Sequence, residues 1–224
     1  MLPLVAAAAT IWWLDVFIDS RELAAPDWQA RLQTLLSEAG ALYSVKDHPL
    51  DYACPVELRA WSITVYQPGI AGYVEGGSGA PHRELTLPLP FKRSRLYLAP
   101  GPGWGMGSGV ENWAYAWIGL WQDYPGTGGA LLDPWGRPSR QWEVAHELGH
   151  AARLLHRTVT SETDCSLMAY DDMLLGVQCP MNGSRLTQAD CDGILARARE
   201  EPAPGDGHVE WLAPPIGPPV LQAP

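Results

Sequence analysis

Hydrophobic and polar positions in the first third of the chain predict a strand, a helix and a second strand. Residues 11–18 are apolar at nearly every position, which is typical of a strand covered on both faces. A helical pattern follows, and its apolar face consists of Trp28, Leu32, Leu35, Leu36 and Ala39. Gly40 stands where a C-cap glycine belongs. Residues 60–66 alternate apolar with polar side chains and predict a half-buried strand.

The middle of the chain predicts two more strands with a loop between them. Residues 95–99 and residues 113–120 are rich in side chains that favour strands. Residues 100–107 consist mainly of glycine and proline, which indicates a loop.

The last part of the chain predicts two helices and a tail. One helix has Ser139 as its N-cap and runs to about Leu155. The other begins at residues 187–190, which resemble a capping box with Asp in place of Glu, and ends near Arg199. Residues 202–224 contain seven prolines and predict an extended tail. The order of strands and helices predicts an α/β (α+β) fold in two unequal parts.

Composition narrows the class of protein. The 224 residues weigh 24.4 kDa, which suits one domain or a compact two-lobed one. Hydrophobic residues make up 46% and charged residues 18%, which excludes a disordered chain and a coiled coil. The net charge of −10 would repel phosphate backbones, so we expect no nucleic-acid partner.

The longest apolar stretch and the cysteines are informative about the cellular location of the protein. Residues 2–14 are too few to span a bilayer, and no Lys or Arg precedes them, so they are also a poor signal peptide. Four cysteines, Cys54, Cys165, Cys179 and Cys191, allow three disulfide pairings. Their even number favours an oxidising compartment. We therefore expect a secreted or extracytoplasmic protein whose leader is missing from this sequence, while a cytoplasmic location stays open.

The predicted helix of residues 139–155 carries the motif H-E-x-x-H. His146 and His150 lie about 40° apart around a helix and one turn along it, so both imidazoles can bind one metal ion. Glu147 projects at a neighbouring angle and can act on a water that the metal activates, as in zinc peptidases. The alternative is a surface helix on which these three side chains are merely solvated.

A zinc ion that keeps one open position needs a third protein ligand. His156 follows His150 by six residues, and six positions on an unbroken helix turn through about 600°, which points the side chain away. The helix must therefore end just after His150 if His156 is to bind. The rival third ligands, for a helix that continues, are Glu162 and Asp164.

Residues 146–156 resemble the signature of the metzincin superfamily of zinc peptidases, H-E-x-x-H-x-x-G-x-x-H. Every signature position matches except the glycine, which is Arg153. In the family this glycine adopts a left-handed backbone conformation, in which another residue costs on the order of 1 kcal/mol. The zinc ligands that the resemblance implies are His146, His150 and His156.

Two later segments extend the resemblance. Residues 166–170 look like the methionine turn of metzincins, which would make Met168 the methionine beneath the zinc. Tyr170 matches a tyrosine that can stabilise the oxyanion in the astacin-like and serralysin-like branches. Residues 186–194 are similar to the start of the C-terminal helix in the matrixin branch. These matches leave the subfamily unassigned.

The resemblance also implies an architecture. It consists of a mostly parallel twisted sheet with an active-site helix, and a smaller, irregular C-terminal subdomain that ends in a helix. We expect an N-terminal subdomain of residues 1–156, a C-terminal subdomain of residues 157–201 and a Pro-rich tail of residues 202–224, within one catalytic domain. Residues 113–120 would form an edge strand to which a substrate peptide adds as a further strand.

The function that the resemblance implies is that of a zinc metalloendopeptidase, a hydrolase acting on peptides or proteins. Glu147 would be the general base, and Tyr170 would assist at the oxyanion. We expect a monomer that does not span a membrane. Two alternatives stay open, a zinc-binding protein of the same fold that has lost catalysis and a non-enzymatic interaction module that uses the Pro-rich tail.

Overall fold

One sheet and three α-helices make up the regular structure of the described residues. The computed structural model describes residues 9–24, 26–44, 53–66, 93–98, 102–108, 113–118, 140–157, 166–168 and 186–200. The strands are β1 (Thr10–Asp19), β2 (Val56–Tyr66), β3 (Ser94–Leu98), β4 (Pro102–Ser108) and β5 (Trp113–Ile118). The α-helices are α1 (Trp28–Leu42), α2 (Arg140–Ala151) and α3 (Gln188–Glu200), and a 3-10 helix spans Ser20–Ala24.

The sheet is mostly parallel, with the strand order β2-β1-β3-β5-β4. β1 pairs in parallel with β2 and with β3, and β3 pairs in parallel with β5. Only β4, among the described strands, runs antiparallel to its neighbour. Residues 12–19 of β1 are all buried, as predicted for a strand covered on both faces. The predicted α/β class and mostly parallel sheet are therefore confirmed.

Helix α1 packs on the sheet through the face that the sequence predicted. The buried residues of this face are Trp28, Leu32, Leu35, Leu36 and Ala39. The prediction of Gly40 as the C-cap is wrong, because α1 continues to Leu42 and Tyr43 caps it. Gly40 instead allows β2 to approach closely, since a Cβ there would lie 3.2 Å from the backbone nitrogen of Leu58.

The predictions for residues 100–120 are wrong in two respects. Residues 102–108 form strand β4 instead of a loop, and β4 lies at the edge of the sheet where β5 was expected. Pro102 begins this edge strand, where its missing N–H is tolerated. Gly107 faces α2 so closely that a Cβ would lie 2.5 Å from the carbonyl oxygen of Glu147. Gly107, one of the glycines that indicated a loop, is thus required for the close contact between β4 and α2.

The two later helices begin close to the predicted positions. Helix α2 ends at Ala151, four residues before the predicted end, and its predicted N-cap Ser139 lies outside the described residues. At α3 the predicted capping box is confirmed. The Asp190 carboxylate accepts the Thr187 N–H at 2.9 Å, and the Asp190 N–H donates to the Thr187 hydroxyl at 3.2 Å.

A disulfide joins Cys54, just before β2, to Cys191 in the first turn of α3. Cys165 and Cys179 lie outside the described residues, as does the Pro-rich tail. None of the helices in the described ranges is long and apolar enough to cross a membrane. The subdomain boundaries stay a prediction.

Candidate metal centre

Helix α2 supplies two of the three candidate ligands. The residues that bury α2 against the core are Val144, Ala145, Leu148 and Ala151. This apolar face fixes the rotation of the helix and leaves His146 and His150 together on an adjoining face. Their imidazole rings lie edge to face, with centroids 4.9 Å apart.

The chain turns sharply after α2 through a Schellman motif. The Leu154 N–H donates to the Gly149 carbonyl at 3.0 Å, and the Arg153 N–H donates to the His150 carbonyl at 2.8 Å. Arg153 has a φ of 68°, which is the left-handed conformation that glycine would adopt there. Helix α2 therefore ends just after His150, as binding by His156 requires.

The turn brings the third histidine to the other two. Nε2 of His156 lies 3.1 Å from Nε2 of His146 and 2.9 Å from Nε2 of His150. The three candidate donor atoms all lie within 4.8 Å of one another. The rival ligands Glu162 and Asp164 lie outside the described residues.

Backbone carbonyls orient the two imidazoles of α2. Nδ1 of His146 donates to the Leu167 carbonyl at 2.6 Å, and Nδ1 of His150 donates to the Leu154 carbonyl at 2.8 Å. Because a carbonyl oxygen only accepts, each Nδ1 carries the ring proton and each Nε2 presents a lone pair. Lone pairs that face one centre repel one another unless a cation lies between them. The donor set therefore fits a divalent metal ion.

The spacing of the nitrogens agrees with this chemistry. Bonds of about 2.0–2.1 Å to zinc put two tetrahedral nitrogen ligands roughly 3.3 Å apart. The separations of 3.1 and 2.9 Å from His156 are close to that value. A three-histidine group of this kind can bind a metal ion.

Loss of hydration favours the neutral form of the three imidazoles, although His156 is the most exposed of them. Burial lowers the pKa of His146 to about 3, because the charged ring would lose its hydration. Burial also lowers the pKa of His150 and of His156, and the neighbouring ring of His150 adds to the effect on His156. The neutral ring is the form that binds metals, so no proton has to be displaced at neutral pH.

Glu147 follows His146 on α2, and its side chain is buried. Burial raises the pKa of its carboxyl well above the usual value, and the nearby carboxylate of Glu143 raises it further. Its Oε2 atom has no hydrogen-bond partner among the described residues. A buried carboxyl of this kind is suited to bind a polar ligand and to accept and return a proton.

Residues 166–168 lie beneath α2. The Met168 sulfur packs directly against Gly149 and leaves no room for a side chain there. The carbonyl of Leu167 orients His146, and the carbonyl of Met168 accepts the Arg157 N–H at 2.8 Å. Tyr170 lies outside the described residues.

Sequence reasoning missed Trp142 at this site. Its indole stacks on the His146 ring, with centroids 4.7 Å apart and an angle of 19° between the planes. The two residues are four apart on α2, so helical spacing could have indicated the contact. The carbonyls of Leu154 and Leu167 could not have been found in that way, because a backbone acceptor is the same whatever the side chain.

Fold and site together define an α/β protein with a three-histidine cluster that could hold a metal ion. No protein-family model matches the sequence, and the search of curated proteins found no match. Among solved structures, the chain is similar to the crystal structure of metalloproteinase-II from Bacteroides fragilis, with a TM-score of 0.40 and 14% sequence identity. The similar region covers 87% of this chain and 55% of that chain, so this chain spans about half the length of that protein.

Proposed function

We propose that this protein is a zinc-dependent endopeptidase of metzincin type. The observation that carries the proposal is the convergence of three imidazole Nε2 atoms, two of them from the helix that also carries the buried carboxyl of Glu147. A merely solvated helix face would need neither the backbone acceptors that orient the rings nor the sharp turn at Arg153.

The zinc ligands in this proposal are His146, His150 and His156. Three imidazoles leave one coordination position open, which is typical of catalytic zinc sites, whereas structural sites are closed by four protein ligands. Bound zinc would act as a Lewis acid that polarises the substrate carbonyl and lowers the pKa of water to about 7.

Glu147 would move the proton. Its carboxylate would accept a proton from the attacking water and later donate it to the leaving amine. Burial raises the pKa of Glu147, which makes its carboxylate a stronger proton acceptor. The stacked Trp142 and the Leu167 carbonyl would keep the first ligand, His146, in place meanwhile.

The substrate peptide would add to β4. This strand lies at the edge of the described sheet and runs against α2 at Gly107, next to the backbone of Glu147 and the Cβ of His150. Backbone hydrogen bonds along such an edge hold an extended peptide whatever its side chains. This assignment replaces residues 113–120 as the proposed substrate strand.

Further parts of the proposal come from the resemblance. Met168 would be the methionine of the methionine turn, and Tyr170 would assist at the oxyanion. The disulfide between Cys54 and Cys191 is compatible with an extracellular location, and we propose a secreted monomer.

Arg153, which replaces the signature glycine, is the feature of the sequence that would favour a catalytically inactive protein of the same fold. It takes the left-handed conformation, and the three imidazoles still converge. The departure from the signature is therefore no argument against metal binding, and cleavage of peptides is the measurement that distinguishes the active from the inactive alternative.

The variant Glu147→Gln tests the mechanism. It removes the proton acceptor but keeps the shape of the side chain, so we expect cleavage to fall at least ~100-fold while folding and zinc content stay unchanged. Mass spectrometry of a peptide library measures cleavage, and elemental analysis measures zinc per chain. Glu38→Gln, an exposed position on α1, is the matched control and should keep full activity. Cleavage retained by Glu147→Gln would refute the mechanism.

A further inference from the structure

The third candidate ligand lies on a segment without regular secondary structure. His146 and His150 are fixed by α2, whereas His156 follows the turn at Arg153 and is exposed. The orientation of an exposed side chain on such a segment depends on its own contacts and on those of its neighbours. The contacts of the neighbours therefore affect how well the three nitrogens converge.

Arg157, the next residue, is attached through its backbone and through its side chain. Its N–H donates to the Met168 carbonyl at 2.8 Å. Its guanidinium Nη2 donates to Oδ1 of Asp190 at 2.6 Å and to the hydroxyl of Thr187 at 3.2 Å. Hydrogen bonds between two charged groups are shorter and stronger than neutral ones. The neighbour of the third ligand is thus tied to the start of α3.

Asp190 is itself held firmly. Its side chain is only 7% exposed, and its Oδ2 accepts the N–H of Thr187 at 2.9 Å and the hydroxyl of Thr187 at 2.8 Å. Its other oxygen binds Arg157. The adjacent Cys191 is bonded to Cys54, which anchors the first turn of α3 beside the sheet.

We propose that Asp190 and Arg157 are positioning residues for His156. The inference rests on the proposed function, since it requires the three histidines to bind the metal. The Asp190 carboxylate holds the guanidinium of Arg157, and the residue held in this way keeps the His156 imidazole beside the two imidazoles of α2. Helix α3 thereby contributes to metal binding without supplying a ligand.

Zinc affinity of the full chain tests the proposal. Dissociation constants for Zn²⁺ are measured by competition with a chromophoric chelator, on the metal-free wild type and on the variants Arg157→Gln and Asp190→Asn. Loss of the partner that supports a metal ligand lowers metal affinity about 10–100-fold, and we expect that loss in both variants. Arg157→Lys should recover part of it, because lysine keeps the charge but not the planar fork.

A His156→Ala background separates positioning from general weakening. There, Arg157→Gln should change the remaining affinity less than about twofold, because no third ligand is left to position. Glu200→Gln is the matched control, since it removes an ion pair with Arg197 (2.8 Å) on the same helix and should leave zinc affinity unchanged. Equal losses with and without His156 would overturn the proposal.

If Asp190→Asn destabilises helix α3, the zinc affinity of Arg157→Gln alone still tests the proposal. Asp190 caps that helix, whereas the Arg157 side chain lies outside it, and circular dichroism of the metal-free variants reports their folding. A folded wild type that binds no Zn²⁺ would refute the proposed function and this inference with it. Tight binding by the wild type and equal binding by Arg157→Gln would overturn the positioning role alone.

Discussion

Single residues at the candidate metal centre act mainly by constraining the positions of their neighbours. His146 is held on one side by the Leu167 carbonyl and on its ring face by Trp142. Gly149 has no side chain, which allows the Met168 sulfur to lie directly beneath α2. These contacts hold the candidate ligands in place, and preorganisation of this kind would favour tight binding of a metal ion.

Among the described residues, Arg153 is the one non-glycine with a positive φ. Replacement by glycine should raise the free energy of unfolding by about 1 kcal/mol, because glycine adopts this conformation without steric cost. Urea denaturation measures the change. Arg153→Ala is the matched control, since it removes the side chain but keeps the Cβ, and it should not stabilise the protein. Equal stability of the two variants would contradict the role of backbone strain.

Helix α2 makes contacts on several of its faces. One face packs into the core, the adjoining face carries the candidate ligands, and its backbone runs against β4 at Gly107. The buried hydroxyl of Tyr43, at the end of α1, also donates to the carbonyl of Ala145 at 2.9 Å. Contacts with α1 and with β4 thus hold α2 in place around His146 and His150.

Gly107→Ala should force β4 and α2 apart. The new Cβ would lie 2.5 Å from the Glu147 carbonyl oxygen and from the His150 Cβ, neither of which can move alone. We expect a loss of about 1–3 kcal/mol in the free energy of unfolding and weaker zinc binding.

Gly193→Ala on α3 is the control for Gly107→Ala. Its new Cβ would meet mainly the end of the Leu154 side chain, at 3.2 Å, and that flexible group can shift. We expect its stability to change by less than about 1 kcal/mol, since alanine also favours a helix more than glycine does. A tolerated Gly107→Ala would contradict the close contact of β4 with α2.

At the scale of the whole molecule, contacts between distant parts of the chain hold the site. The disulfide between Cys54 and Cys191 links residues 137 positions apart and connects the region before β2 with α3. The ion pair between Arg157 and Asp190 connects α3 with the segment that carries His156. The sheet, α2 and α3 therefore depend on one another.

The double variant Cys54→Ser, Cys191→Ser should lower the free energy of unfolding by about 2–5 kcal/mol. A crosslink over so long a loop restricts the unfolded chain strongly, and its removal restores that freedom. Urea denaturation under oxidising conditions compares the variant with the wild type. The same comparison in the presence of a reducing agent is the control, and the difference should then largely disappear. An unchanged midpoint of the urea unfolding transition under oxidising conditions would argue against a disulfide between Cys54 and Cys191.

Local patterns in the sequence were sufficient for much of the fold. The buried strand at residues 11–18, the apolar face of α1 and the capping box at residues 187–190 all depend on contacts within a few positions. The helical spacing of His146 and His150, and the need for a turn before His156, are local in the same sense. The predicted metal-binding role of these residues stays a prediction that the experiments above test.

The sequence by itself determined the types of the candidate ligands and their spacing, because these are properties of neighbouring residues. Only the tertiary structure decided that residues 102–108 form an edge strand, that Cys54 pairs with Cys191, and that Asp190 forms an ion pair with Arg157. The physical reason is that such features arise when distant segments pack together, and backbone groups, close approaches and long-range ion pairs leave no periodic pattern in the chain.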